Sequence, residues 1–123
     1  MAVKERQTEY ETIYIMTPVA DEDVRASTRS RVEGIIADGG GHLLTFDDWG
    51  SRRLSYRIRD RSEGRYHEQG VYQYTRFLAP GEVIAEIERN LRNLDAVLKF
   101  MTVKIEEDLE PAERLNRPEE EEE

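Results

Sequence analysis

Apolar and polar positions alternate with two different periods along this chain, and the changes of period divide it into elements. Tyr10-Glu11-Thr12-Ile13-Tyr14-Ile15-Met16 is rich in β-branched and aromatic residues and stops at Thr17-Pro18, which predicts a first strand. After Asp21, a candidate N-cap followed by Glu22 and Asp23, the apolar or small positions Val24, Thr28, Val32, Ile35 and Ile36 recur at helical spacing. Gly34 weakens that helix, and Gly39-Gly40-Gly41 ends it. From His42 to about Arg59 the alternation of Leu44 and Phe46, then Leu54, Tyr56 and Ile58, predicts a long second strand bent at Trp49-Gly50. Residues 60–69 are polar and read as a connecting loop.

Val71 to Phe77 has strand composition again, and Ala79-Pro80-Gly81-Glu82 opens a second helix with the apolar stripe Val83, Ile84, Ile87, Leu91 and Leu94. Ala96 to Ile105 reads as a last strand, after which apolar periodicity ceases. The order βαββαβ predicts an α+β, ferredoxin-like fold: one four-stranded antiparallel sheet with both helices on one face and the other face open. The expected organisation is a polar N-terminal extension over 1–8, one domain over 9–105, and an acidic, disordered tail over 106–123 that the function of the folded body does not need. That fold hosts nucleic-acid binders, regulatory domains and small enzymes, so it does not settle function.

Charge narrows the choice. The net charge of −9 argues against an RNA partner until its distribution is considered. Residues 106–123 hold ten acids and two bases, which leaves 17 acids and 16 bases in the rest of the chain. Within that nearly neutral body, the stretch from Arg52 to Arg65 has six arginines against Asp60 and Glu63. Arg52, Arg53, Arg57 and Arg59 alternate with Leu54, Tyr56 and Ile58, a pattern suited to several phosphates or, more blandly, to a solvated strand face. Tyr72 and Tyr74 share a strand face and suit base stacking or ordinary packing equally well. Arg89 and Arg92 lie late in the second helix, where its dipole already favours them.

Other chemistries find little support. There is no cysteine, which excludes disulfides and thiolate sites, and the two histidines, His42 and His67, are too separated for a metal site. Asp47-Asp48 would point to opposite faces of a strand and is read as solvated rather than as a catalytic pair. The glycine triplet lacks the ending of a phosphate-binding P-loop. No catalytic residue, cofactor or metal is expected, and no apolar run suits a signal peptide or membrane span, so the cytoplasm is the expected location.

Several motifs in order carry a resemblance. Tyr10-Glu11-Thr12, Ile15-Met16-Thr17-Pro18, Gly40-Gly41-His42, Trp49-Gly50-Ser51-Arg52-Arg53-Leu54-Ser55-Tyr56 and Leu91-Arg92-Asn93-Leu94-Asp95-Ala96-Val97-Leu98-Lys99-Phe100 together resemble the bacterial ribosomal protein S-six family over roughly residues 9–105. The resemblance implies a non-enzymatic constituent of the small ribosomal subunit that binds 16S ribosomal RNA in the central domain together with ribosomal protein S-eighteen. Carried over by position, it makes Tyr10, Arg52, Arg53 and Arg92 candidates for the RNA or partner surface, and the arginine cluster adds Arg57. Ser55 stands where the family commonly has alanine and Arg57 where it often has proline, and the loop over 60–69 is longer than in many members. The alternative is a free-standing RNA-recognition-motif-like protein, but Val71 to Phe77 lacks the basic-Gly-aromatic-Gly-aromatic run of that class. An acylphosphatase-type enzyme would need an anion-cradling first loop, which Thr17 to Asp21 does not offer.

Overall fold

A computed structural model describes residues 6–117. Its elements are β1 (Gln7–Met16), α1 (Glu22–Asp38), β2 (His42–Arg59), β3 (Tyr66–Ala79), α2 (Glu82–Arg92), β4 (Val97–Leu109) and a short α3 (Pro111–Leu115). The four strands form one sheet in the order β2-β3-β1-β4 with every neighbouring pair antiparallel, the predicted ferredoxin-like plan.

Local chemistry explains where the first helix begins and ends. The Asp21 carboxylate accepts a hydrogen bond from the Val24 N–H at 2.9 Å, satisfying one of the free donors of the first turn of α1. Gly39 caps the other end and Gly40 follows with φ +81°, a conformation glycine adopts without a Cβ penalty. Both helices then lie over β1 and β3. Tyr14, Met16 and Phe77 from the sheet meet Val32 and Ile36 of α1, Val83, Ile87 and Leu91 of α2, and Val97 of β4 in one core. Each such side chain contributes roughly 1.5–3 kcal/mol on burial, so this layer rather than helix propensity holds the fold. Across the sheet, Thr12 and Thr102 share a hydroxyl hydrogen bond of 2.8 Å.

Three strand boundaries differ from expectation. β1 begins at Gln7 rather than Tyr10, and β3 at Tyr66 rather than Val71, so the polar loop shrinks to 60–65. β4 runs past Ile105 to Leu109, and α3 follows it. The expected domain end at 105 therefore falls inside a strand, and much of the expected tail is strand and helix. The physical reason is that backbone pairing continues where apolar alternation does not: Glu9 pairs with Glu106 and Gln7 with Leu109. Leu109 is buried, and the acids on this stretch find cations, Asp108 at Arg6 and Glu106 at Arg117. Arg114 of α3 reaches back to the buried Glu9, with its Nε 2.6 Å from one carboxylate oxygen and its Nη2 3.3 Å from the other. Residues 1–5 and 118–123, which hold the remainder of the expected extension and tail, lie outside the described residues.

Candidate nucleic-acid interface

Alternate residues of a strand share a face, so β1 sends Tyr10, Tyr14 and Met16 to the helices and Glu9, Glu11, Ile13 and Ile15 to the open side. Leu78, Arg76, Tyr74 and Tyr72 lie opposite them on β3. On β2 the predicted bend is a bulge: the register shifts between Asp48 and Gly50, Gly50 has φ +77°, and Asp48 accepts the Gly50 N–H at 2.8 Å. The bulge places Trp49 on the open face, stacked on Tyr74 with ring centroids 4.9 Å apart and planes 11° from parallel. The Arg52 guanidinium lies 4.8 Å from the Trp49 ring centre and 5.7 Å from that of Tyr72. The Tyr74 hydroxyl donates to Glu11 at 2.6 Å, and burial together with that bond pushes its pKa up to about 12.

The outer half of the β2–β3 hairpin departs from regular pairing. Arg53 pairs with Gln69 and Ile58 with His67, so β2 advances five residues where β3 advances two. Leu54 is buried, close to Gly70 and Ile15, while Tyr56 and Arg57 are exposed. Arg57 lies over the ring of Tyr66 at 4.8 Å. The turn beyond is held by Asp60, whose Oδ1 accepts the N–H groups of Glu63 at 2.7 Å and Gly64 at 3.0 Å and whose Oδ2 lies 2.6 Å from His67 Nε2. The Glu63 amide, then the His67 side chain, hold the Asp60 carboxyl down at about 2. Arg61 donates to the Leu94 carbonyl at 3.0 Å and Arg59 to that of Gly64 at 3.2 Å, which ties the turn to the connection between α2 and β4 and to itself.

The five residues singled out from the sequence do not converge. Tyr10 is a correction: it is only 8% exposed and packs on Phe77 with ring centroids 5.8 Å apart, so it is part of the core rather than of a contact surface. Arg52 and Arg53 are both exposed and, as strand neighbours, point to opposite sides. Arg57 belongs to the hairpin bulge, and Arg92 sits at the end of α2 over the Phe100 ring at 5.6 Å. Among the described residues no carboxylate lies within ion-pair distance of Arg52, Arg53 or Arg57. Both acids of the hairpin tip are already engaged, Asp60 in the turn and Glu63 with Arg65 at 3.2 Å. Sequence reasoning missed the Asp60–His67 pair and the placement of Tyr66 in a strand; only the Asp-x-x-x-Gly spacing from Asp60 to Gly64 hinted at a structured turn. Among the described residues no group of three or more His, Asp or Glu is placed to hold a metal ion.

A family described as ribosomal protein S6 matches residues 9–104. A small ribosomal subunit protein bS6 of Desulfatibacillum aliphaticivorans is 39% identical over 101 residues, which are 82% of this chain and 51% of that relative. The protein of the same description from Nitratidesulfovibrio vulgaris is 34% identical over 101 residues, 82% of this chain and 94% of the relative. This chain thus spans about half the length of the first relative and nearly all of the second. The crystal structure of a 30S ribosomal protein S6 from Thermotoga maritima superposes with a TM-score of 0.70 at 23% identity, covering 81% of this chain and 89% of that one, a likeness of fold.

Proposed function

The chain belongs to the ribosomal protein S6 family, and from that premise we propose that it is a structural constituent of the small ribosomal subunit in the cytoplasm, binding central-domain 16S ribosomal RNA together with ribosomal protein S-eighteen during translation. Family membership supports the ribosomal part of this reading. The RNA part is carried by one observation: Arg52, Arg53 and Arg57 stand without a carboxylate partner among the described residues, in a chain whose net charge is −9. Unpaired guanidinium groups on a strand favour phosphate, which they bind through two parallel N–H groups. Arg52 is held above Trp49 and Tyr72, so it meets its partner with little rotamer freedom left to lose. Arg53 faces the other side and serves a different contact, to RNA or to S-eighteen, while Arg92 extends the cationic surface to the helix side. The role is one of binding and positioning, without catalysis.

The test is binding of the full chain to a central-domain 16S RNA fragment with S-eighteen present, across a salt series. Arg52→Ala and Arg53→Ala are expected to act unequally. The variant that loses a phosphate contact weakens binding and reduces the salt dependence by about one ion with the fold intact. Unchanged affinity and salt slope in both variants, or no association of the unaltered chain, would defeat the proposal.

A further inference from the structure

We propose that the bulged outer half of the β2–β3 hairpin is a stacking site for unpaired nucleotides of RNA, with Tyr66 and Tyr56 as the rings and Arg53 and Arg57 as the phosphate ligands. The proposal rests on the RNA-binding reading above and adds the residues and the class of RNA. Three features carry it. The extra residues of β2 push Tyr56 and Arg57 outward, and strand bulges commonly re-aim side chains in this way. Tyr56 is 78% exposed and Tyr66 58%, both far more than packing tyrosines, whereas Leu54 of the same bulge is buried. Arg57 lies over the Tyr66 ring at 4.8 Å while Tyr66 stays 58% exposed, which leaves ring surface for a base.

Charge selects the occupant. The stretch from Arg52 to Gln69 offers six arginines against three acids, of which Asp60 and Glu63 are engaged internally and Glu68 is exposed, so the balance is cationic, an anionic partner fits and an apolar peptide does not. An exposed ring beside a guanidinium suits a nucleotide, because base–aromatic stacking tolerates any base while the cation meets the adjoining phosphate. Bases within a duplex are already stacked, so the site takes nucleotides of a loop or bulge. The turn held by Asp60 and His67 fixes the platform before RNA arrives, which lowers the ordering cost of binding.

The experiment uses the full chain, the central-domain RNA fragment and S-eighteen, comparing Tyr66→Ala, Tyr56→Ala, Arg57→Ala and the rescue variant Tyr66→Phe. Tyr66→Ala is expected to weaken RNA binding about five- to hundredfold without changing the salt slope, since the ring carries no charge. Arg57→Ala should instead reduce the slope by about one. Chemical probing should show an unpaired nucleotide protected by the unaltered chain and by Tyr66→Phe but open with Tyr66→Ala. Tyr56 is exposed enough that its alanine variant keeps the test valid should Tyr66→Ala misfold. Normal RNA affinity in both tyrosine-to-alanine variants, with Arg52→Ala still impaired, would overturn the stacking site and leave the ribosomal reading standing. Loss of S-eighteen binding by the same variants in the absence of RNA would assign this surface to a protein and overturn it equally. Failure of the unaltered chain to bind the fragment would remove both readings together.

Discussion

Replacing Arg114 with alanine strands a carboxylate in the sheet. The Glu9 side chain is 4% exposed and meets Arg114 Nε at 2.6 Å and Arg76 Nε at 3.2 Å. Removing one partner of a buried pair costs about 3–5 kcal/mol when nothing else compensates, because the remaining charge keeps its desolvation penalty. Here Arg76 remains, but its buried Nε, 3.2 Å from Glu9, makes no hydrogen bond to it and so compensates only in part. The expected loss is therefore about 1.5–3 kcal/mol, which for a domain of this size lowers Tm by roughly 5–15 °C. Arg117→Ala is the control: its pair with Glu106 spans 3.5 Å between half-exposed side chains and should matter by less than about 0.5 kcal/mol. Urea and thermal unfolding of the two variants measure the difference. A Tm for Arg114→Ala equal to that of Arg117→Ala would refute the docking of α3 on Glu9. The same reasoning applies to truncation within 106–123: a chain ending at Ile105 loses buried Leu109 as well as Arg114 and should be less stable than Arg114→Ala.

The turn at Asp60 makes a pH prediction. Its folded carboxyl is held at about 2, below the ordinary 3.8, so the stability it contributes is present above about pH 4 and is lost as pH falls toward 2. Asp60→Asn should flatten the pH dependence of urea unfolding in that window, and an unaltered dependence would show that the turn hydrogen bonds do not act on stability. At alkaline pH, Tyr74, pushed up to about 12, and Tyr14, raised further by burial and then by Glu33, should ionise after the other tyrosines. A raised folded pKa means that the stabilisation holds below about 10 and is lost as pH rises above it. Ultraviolet titration of the native chain with all six tyrosines ionising together near 10 would contradict the packing of these two rings.

The elements with strong apolar periodicity were legible in advance. Asp21, the glycine triplet and the Trp49-Gly50 bend each acted as read, because capping, left-handed turns and bulges depend on nearby residues. The strand ends were not legible. Residues 66–70 and 106–109 pair through backbone groups that carry no side-chain signature, and Glu9 sits in the sheet only because Arg76 and Arg114, distant in sequence, arrive beside it. Among the candidate site residues, the arginine cluster was visible as composition, but its division between two faces and a bulge depended on register. Tyr10 was misplaced because motif position says nothing about which face of a strand a residue occupies, and here that face is the core.

The sheet order has a consequence for synthesis. β1 precedes the other strands yet lies between β3 and β4, so one of its edges has no partner until β4 is made. The hydroxyl pair of Thr12 and Thr102 joins residues 90 apart. At about 5–20 residues per second, the nascent chain carries that open edge for roughly 5–20 s, a span in which unpaired strands are prone to join strands of other molecules. Folding of this protein is thus gated by its final strand, and Arg114 reaches Glu9 only after β4 has closed the sheet.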